Sequence, residues 1–261
     1  MITSKDVELV RERFSGAAER YDKLAFIQNE VREELLNRIK VKDGSAVIDV
    51  GCGTGFLLKE IARRNPSGSH VGVDPARGMV KKALRDMPGG RFLQAGSAQL
   101  PFKSESFDLL VSSSAYQWSE DLNAAFRSAR NVLKPWGTFQ AALFGHGTLR
   151  ELFESLEAGS ALPKEEFSRL RRLPSAKDVW YALDWSNLRD VSAHVEEREV
   201  IFRDLWSLLV WLKSTGANSL GHHFFLGRGA LERAQEYYAD KYSISGGIKA
   251  TFEVIWAQAV K

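Results

Sequence analysis

Residues 47–56 read Val-Ile-Asp-Val-Gly-Cys-Gly-Thr-Gly-Phe, an apolar β-prone run that passes directly into glycines at every second position. This order predicts a buried strand, a tight loop and a helix that begins near Phe56. Gly51, Gly53 and Gly55 carry no Cβ, so the backbone can turn sharply there and approach a ligand closely. The N–H groups at the start of the following helix favour an anionic or electron-rich group. A dinucleotide fingerprint would need glycine at position 56, where Phe56 stands.

A second predicted strand, residues 70–74, ends in a carboxylate. It reads His-Val-Gly-Val-Asp, and Asp74 lies 19 residues after Gly55 and directly before Pro75. In a βαβ unit the next parallel strand ends beside the first, so its terminal acid can bind the two hydroxyls of a ribose. An aspartate at a strand end more commonly serves a turn or a helix N-cap. The spacing from the glycine loop favours the ribose-binding interpretation.

The rest of the first 145 residues alternates between helical and strand patterns. Amphipathic helices are predicted over residues 4–20, 25–39, 76–86 and 122–133, and further strands over 91–95, 107–111 and 138–144. The strand at 107–111 must be central because it is nearly all apolar. Repeated alternation of strand and helix at short spacing predicts a doubly wound, mostly parallel α/β sheet.

The whole chain, residues 1–261, is interpreted as one domain with four parts. N-terminal helices occupy 1–40, the core around the glycine loop 41–145, an inserted helical cap 146–190 and the C-terminal part of the sheet 191–261. The cap is predicted because residues 146–185 lose the alternation and hold short helical pieces, a basic run and several aromatic residues. In the last part, 191–202 and 251–260 alternate as strands, and Asp204 is placed to cap a helix.

Composition indicates a globular protein of a reducing compartment. With 44% hydrophobic residues in 261, the chain can bury a substantial core. Cys52 is the single cysteine, so an internal disulfide is impossible and a cytoplasmic location is expected. No apolar run approaches the roughly 18 residues of a membrane span, and the polar N-terminus lacks a signal-peptide apolar region. The net charge of +3 permits an acidic partner, but no basic patch interleaved with aromatic residues indicates nucleic acid. We expect a monomer.

Several common catalytic signatures are missing from the sequence. Of five histidines only His222 and His223 are close together, and adjacent residues point apart, so no metal site is predicted. A G-x-S-x-G nucleophile elbow and a P-loop are also lacking. The remaining features describe a cofactor that contains a nucleoside, with a capped pocket beside it.

The D-x-G-x-G-x-G form of residues 49–55 resembles motif I of the class I S-adenosylmethionine-dependent methyltransferases. Asp74, the loop 96–102 and the turn 133–137 extend this resemblance across about residues 40–145. The resemblance implies a Rossmann-like methyltransferase fold, S-adenosylmethionine as cofactor and S-adenosylhomocysteine as product.

A narrower resemblance is to the malonyl-acyl-carrier-protein O-methyltransferases of biotin synthesis. It rests on four short motifs, in the right order along most of the chain: Phe14-x-x-Ala17-Ala18-x-x-Tyr21, Ser112-Ser113-x-Ala115-x-Gln117-Trp118, Gly147-Thr148-Leu149-x-Glu151-Leu152 and Leu212-Lys213-x-x-Gly216-Ala217. Two positions depart from the pattern, because Ser97 stands where an Asp is usual and Ser113 where an Asn is common. Serine can donate and accept hydrogen bonds there, but with a shorter reach.

The resemblance implies a role for each candidate site residue. Gly51, Gly53 and Gly55 would hold the methionine end of the cofactor and Asp74 its ribose. Met79, Ser97 and Ala98 would border adenine, and Asp49, Pro75 and Ser113 would complete the cofactor site. Tyr21, Gln117 and Trp118 would shape the methyl-transfer pocket. Lys213 is a candidate for binding the malonyl carboxylate, although a solvated lysine at a helix end is an equal interpretation.

The function implied by the resemblance is methylation of the free carboxyl of a malonyl thioester on acyl carrier protein. A carboxylate is ionised at neutral pH and needs no general base. Two alternatives stay open: another small-molecule methyltransferase of this fold, acting on a quinone precursor or a carboxylic acid, and a cofactor-binding partner protein without activity. Acyl carrier proteins are acidic, so the basic residues of the predicted cap are a candidate docking surface, with a solvated helix face as the default explanation: Lys164, Arg169, Arg171, Arg172 and Lys177.

Overall fold

The chain is organised around one eight-stranded sheet with helices on both faces. The computed structural model describes residues 4–160, 173–217 and 226–261. The strands are β1 (Ala46–Val50), β2 (Ser69–Asp74), β3 (Arg91–Gln94), β4 (Phe107–Ser113), β5 (Leu133–Phe144), β6 (Arg189–Phe202), β7 (Ser243–Ile244) and β8 (Gly247–Val260). The described helices are α1 (Ser4–Leu24), α2 (Phe26–Arg38), α3 (Phe56–Arg64), α4 (Arg77–Asp86), α5 (Leu122–Val132), α6 (Arg150–Gly159), α7 (Ala176–Trp185), α8 (Leu205–Thr215) and α9 (Arg228–Tyr242).

The strand order is β3-β2-β1-β4-β5-β8-β6, with β7 paired to β8. Strands β1 to β5 are mutually parallel, whereas β8 runs antiparallel to both β5 and β6. The predicted doubly wound, mostly parallel fold is therefore confirmed. The order reverses between β1 and β4, and a crevice forms at the carboxyl ends of the strands at such a switch point.

The central strands are apolar because helices cover both faces of the sheet. In β1, Val47 faces the cluster built with α2 and α3, and the next residue, Ile48, faces the cluster built with α5. In β4, Leu109 faces the first of these clusters and Leu110 faces the second. A buried parallel strand needs apolar residues on both faces, which accounts for the nearly continuous hydrophobic runs.

The predicted turn at 133–137 is an irregularity within β5. Phe107 pairs with Leu133 and Leu109 with Thr138, so the register shifts and the residues between bulge outward. Trp136 has a positive φ of 66° and its side chain is 74% exposed. The strand resumes at Thr138, where the sequence predicts it to begin.

The described part of residues 146–190 does not form the predicted cap over the site. Helix α6 packs against α9, and α7 packs against α5 and β6. Their apolar residues Leu152 and Leu183 are fully buried and belong to the two sheet clusters. Helix amphipathicity alone could not reveal that these faces pack against the sheet and its helices. Residues 161–172, with most of the basic run, lie outside the described residues.

Candidate active site

A cavity of about 340 Å³ lies at the switch point, beneath the N-terminal helix. Its walls are the loops that follow β1, β2 and β4, the loop after β3, and the inner faces of α1 and α2. Val7, Val10 and Phe14 of α1 cover it on one side. The N-terminal helices therefore cover the site, whereas the described residues of the predicted cap, 146–160 and 173–190, are outside the lining.

The glycine loop runs tightly over the end of β2. The backbone N–H groups of Gly51 and Cys52 both donate to the carbonyl of Val73, over 2.7 and 3.0 Å. Gly51 has a φ of 76°, and a Cβ there would lie 2.1 Å from the Cβ of Ala115. Gly55 has a φ of 83° and precedes α3 as its N-cap. Only glycine meets both requirements without strain.

Asp74 is fixed by the backbone at the end of β2. Its Oδ2 accepts a hydrogen bond from the N–H of Gly53 at 2.9 Å, and its Oδ1 accepts from the N–H of Ala76 at 2.8 Å. Burial raises the pKa of this carboxyl to about 6, and the two backbone hydrogen bonds oppose that rise. Each carboxylate oxygen has a second lone pair, so both can still accept a hydroxyl group of a ligand.

Asp49 is almost fully buried below the loop. Neither carboxylate oxygen has a hydrogen-bond partner among the described residues. Burial, with a smaller contribution from the charge of Asp74, raises its pKa to about 8, and the positive charge of Arg32 opposes this. An unpaired buried carboxylate is costly, so the group is suited to a ligand that brings a donor or a positive charge.

The loop after β4 supplies small and aromatic side chains. Ser113 at the end of β4, and Ser114 and Trp118 after it, line the cavity. Ser97 from the loop after β3 also lines it, and its hydroxyl lies 2.9 Å from that of Ser119. The ring of Tyr116 packs against Phe126 and Phe139, which also contact each other. Tyr116 is part of the cavity lining, and its hydroxyl is buried without a partner in the described chain. The loop thus places hydroxyl groups beside aromatic rings.

Three aromatic side chains meet at the covered side of the cavity. The ring centroid of Phe14 lies 6.0 Å from that of Tyr21 and 6.0 Å from that of Trp118, both in edge-on arrangements. Burial raises the pKa of Tyr21, and the nearby Arg32 charge lowers it. Its hydroxyl therefore stays protonated at neutral pH.

Most of the predicted site residues come together in this cavity. The lining includes the following of them: Tyr21, Asp49, Gly51, Gly53, Asp74, Pro75, Met79, Ser97, Ala98, Ser113 and Trp118. Gly55 lies behind the lining, as the N-cap of α3. Gln117 is turned away and buried, where its Nε2 donates to the carbonyl of Ser114 at 2.8 Å.

Lys213 is not brought together with the other predicted residues. It is exposed near the end of α8 and is outside the described lining of the cavity. This position matches the alternative interpretation of a solvated lysine at a helix end.

The sequence interpretation missed the polar residues that α2 and the α1–α2 junction bring to the site. Gln28 and Arg32 line the cavity, and the hydroxyl of Thr54 donates to Asp22 at 2.7 Å. Gln28 and Arg32 are four residues apart, so they share one helix face. Polar residues at helical spacing beside the apolar stripe of Ile27, Val31 and Leu35 were the available signal.

The described ranges show neither a metal-ligand cluster nor a candidate membrane span. Residues 4–160, 173–217 and 226–261 contain no group of three His, Cys, Asp or Glu side chains placed to hold a metal ion. Among the same residues, no helix is both long enough and apolar enough to span a bilayer.

Comparison with known proteins gives concordant results. Residues 48–141 match the family model described as a methyltransferase domain. The chain is 32% identical to malonyl-acyl-carrier-protein O-methyltransferase of Geobacter sulfurreducens, over 96% of this chain and 97% of that protein. It is also 32% identical to the protein of that name from Methylovorus sp., over 98% of this chain and 89% of the relative. The solved structure of the YcgJ protein from Bacillus subtilis shares the fold, with a TM-score of 0.63 and 17% identity over 89% of this chain and 98% of that one.

The fold, the glycine loop and the matching domain define an S-adenosylmethionine-dependent methyltransferase of class I. Both the enzyme class and the cofactor expected from the sequence are thereby confirmed. More particularly, the chain belongs to the malonyl-acyl-carrier-protein O-methyltransferase family.

Proposed function

We propose that this enzyme methylates the free carboxylate of a malonyl group carried on acyl carrier protein, at the start of biotin synthesis. The observation that carries the proposal is the match, along nearly the whole chain, to relatives named for that reaction. The aromatic and hydroxyl-lined cavity beside the glycine loop supports it, because it can enclose a small acyl group.

The residues of the cavity fit the cofactor. Asp74 has lone pairs left for the ribose hydroxyls, and the glycine loop leaves space for close approach of the methionine portion. Asp49 offers two unpartnered oxygens near the same loop, within the described structure. Met79, Ser97 and Ala98 would border adenine, and Ser97 replaces the usual acid with a hydroxyl of shorter reach.

The protein's task is to align the methyl donor with the acceptor oxygen and to exclude water from the cavity. S-adenosylmethionine supplies a methyl group that is already activated on a positively charged sulfur. Phe14, Tyr21 and Trp118 would form an aromatic wall around the transfer position, and ring faces stabilise a neighbouring cation. In the proposed reaction an oxygen of the malonyl carboxylate would take the methyl group as the methyl–sulfur bond breaks, and no residue of the chain would need to move a proton.

The protonation states of the tyrosines in the cavity suit a carboxylate acceptor. Burial raises the pKa of both Tyr21 and Tyr116, so their hydroxyls can donate hydrogen bonds to a carboxylate. The described lining contains carboxylates but no histidine or lysine, and the proposed reaction assigns no residue as a general base. An acceptor that is already ionised does not need one.

The test is methyl transfer from labelled S-adenosylmethionine to malonyl-acyl carrier protein. The matched control is acetyl-acyl carrier protein, which has the same thioester and carrier but no free carboxyl. We expect label only on the malonyl form, as a base-labile methyl ester. Equal labelling of both forms, or preferred labelling of free acids or phenols, would contradict the proposed acceptor.

The proposal retains the expectations of a cytoplasmic, monomeric enzyme that binds neither nucleic acid nor membrane. Its single cysteine, Cys52, is buried and agrees with a reducing compartment. Sedimentation of the purified protein, alone and with malonyl-acyl carrier protein, would determine its oligomeric state.

A further inference from the structure

Arg32 of α2 is a largely buried cation whose hydrogen-bonding capacity is only partly used. Its side chain is 12% exposed, and its guanidinium carbon lies 3.9 Å from the ring centroid of Phe56, the first residue after the glycine loop. Nη2 donates to Asn29 at 2.9 Å, and Nε is buried without a partner in the described structure. A guanidinium has five N–H donors, so several remain for a ligand in the cavity.

The carboxylate nearest to Arg32 is shared with other groups. Asp22 lies 3.7 Å from Nη1 of Arg32, beyond hydrogen-bonding distance. One of its oxygens accepts from the hydroxyl of Thr54, and the other lies 3.7 Å from Nζ of Lys82. Asp22 therefore anchors the loop and leaves the Arg32 charge incompletely paired.

Two acceptors without donors line the same cavity. Gln28 is one helical turn before Arg32 on α2, and its Oε1 is buried without a partner in the described chain. Both carboxylate oxygens of Asp49 are also buried without a partner in the described chain. Burial lowers the pKa of Arg32 and raises that of Asp49, and the two groups are close enough for the charge of each to oppose the shift of the other.

One cation, Arg32, and two acceptor side chains, Gln28 and Asp49, are together complementary to an α-amino acid, which carries one ammonium and one carboxylate on a single carbon. The cofactor of the proposed function has such a group at its methionine end, whereas a malonyl thioester offers only a carboxylate. We propose that Arg32 binds the methionine carboxylate of S-adenosylmethionine, while Gln28 and Asp49 accept hydrogen bonds from its ammonium. The assignment rests on the cofactor of the proposed function and is independent of the acceptor.

The decisive experiment compares three ligands that differ only at this end. S-adenosylhomocysteine carries both groups, its decarboxylated analogue keeps the amine, and 5′-methylthioadenosine lacks both. Binding is measured by calorimetry to the wild-type protein and to Arg32→Gln and Asp49→Asn. A hydrogen bond to a charged group corresponds to a loss of roughly 10- to 100-fold in affinity.

We expect Arg32→Gln to weaken S-adenosylhomocysteine by that factor and to leave the other two ligands unchanged. Asp49→Asn should weaken both ligands that carry the amine and spare 5′-methylthioadenosine. Arg32→Lys keeps the charge and should restore part of the lost affinity. Arg38→Gln is the matched control, because Arg38 is on the same helix and pairs with Glu34 and Glu196 outside the cavity lining.

Two results would overturn the assignment. If Arg32→Gln weakens the binding of 5′-methylthioadenosine as much as that of S-adenosylhomocysteine, Arg32 maintains the structure of the loop and does not bind the carboxylate. If all three affinities are unchanged but the KM for malonyl-acyl carrier protein rises, Arg32 serves the acceptor instead. Neither binding result depends on which acceptor is methylated, so failure here is separable from failure of the proposed reaction.

Discussion

The charge of Asp49 depends on what occupies the cavity. The pKa of Asp49 is about 8, because burial and the charge of Asp74 outweigh the attraction of Arg32. Burial raises the pKa values of the Tyr116 hydroxyl and the Cys52 thiol, and the charge of Asp49 adds a smaller contribution to both. Near neutral pH most of this carboxyl is protonated in the free protein. An ammonium group beside it would lower its pKa and favour the ionised form.

Cofactor binding should therefore release protons from Asp49. Because the bound form prefers the ionised carboxylate, affinity for S-adenosylhomocysteine should rise with pH up to about 8, the pKa of the free site. Calorimetric titrations at pH 7 in buffers with different ionisation enthalpies measure the release directly. Asp49→Asn should abolish it. Equal proton release from the variant and the wild type would assign the effect to another group.

The same residue should limit the stability of the ligand-free protein. Its folded-state pKa lies above the ordinary value of 3.8, so its contribution is complete below that pH and is lost as pH rises through about 8. Asp49→Asn should therefore become more stable than the wild type by a margin that grows between those pH values. A margin of about 1 kcal/mol would raise Tm by roughly 2–4 °C. Thermal melts across this range, without cofactor, would reveal a pH-independent difference if the interpretation is wrong.

Asp74 is expected to bind ribose while it holds the loop. Asp74→Ala should weaken S-adenosylhomocysteine binding by roughly 1.5–3 kcal/mol, the worth of hydrogen bonds to a charged group. The Ala variant also leaves the N–H groups of Gly53 and Ala76 without their acceptor. Asp74→Asn keeps one carbonyl oxygen as an acceptor and should lose less binding free energy than Asp74→Ala. Unchanged affinity by calorimetry would remove Asp74 from the cofactor site.

At the scale of elements, α1 covers the cavity but is weakly anchored. Of its 21 residues only Asp6, Val10, Ala17 and Ala18 are buried. Its contacts with α4 combine a small apolar cluster, in which Ala18 packs with Met79, and polar contacts: the hydroxyl of Ser15 accepts from the N–H of Gly78 at 2.7 Å, and Glu19 pairs with Arg85 on the surface. Surface ion pairs contribute little. A helix held in this way can separate from the sheet without disrupting the main core.

Helix α1 should act as the mobile cover of the site. A covered cavity must open for its ligands to exchange, and Val10, Phe14 and Tyr21 line the cavity from α1. Hydrogen exchange of α1 should slow markedly when S-adenosylhomocysteine binds, whereas α6 and α7 should exchange at the same rate. The sequence interpretation grouped residues 146–185 with Tyr21 in this role, and their described parts now serve as the internal control. Equal protection of α1 with and without ligand would exclude gating.

The elements that could be predicted from sequence are those set by local pattern. Strands β1 and β2, the glycine loop and Asp74 follow from alternation, glycine spacing and the length of one βαβ unit. The positions of Arg32 and Gln28 do not, because the sequence of α2 does not determine which face meets the cavity. Gln117 was expected in the pocket from a motif, but the short helical turn Tyr116–Trp118 directs it into the interior. Tertiary packing determines the orientation of these side chains.

At the scale of the whole molecule, the strand order determines where a substrate can reach the cofactor. The chain reverses direction across the sheet between β1 and β4, so the loops from both halves meet at one edge. Helices cover the two faces, and α1 and α2 lie across this edge. An acyl group attached to a carrier protein must therefore enter from the strand-end edge, and the carrier must rest on the surface around it.

The basic run of residues 164–177 remains our predicted docking surface for the carrier. Lys164, Arg169, Arg171 and Arg172 lie outside the described residues, and Lys177 is exposed in the first turn of α7. Charges at the rim of an interface act mainly on association rate, and salt screens them. Arg169→Ala, Arg171→Ala and Arg172→Ala together should raise the KM for malonyl-acyl carrier protein, most clearly at low salt. Activity on a small malonyl thioester should hardly change.

The matched control removes three other positive charges. Arg63, Arg203 and Arg228 are 64%, 82% and 89% exposed and pair only with neighbours on the surface in the described structure. Their replacement by Ala changes the net charge equally, so it corrects for the general attraction between a basic enzyme and an acidic carrier. A rise in KM restricted to the first triple variant, and lost at high salt, supports docking at the run. If that variant loses activity on both substrates equally, the run is structural; if both variants raise KM alike, the carrier responds to total charge, since long-range steering does not require a specific surface.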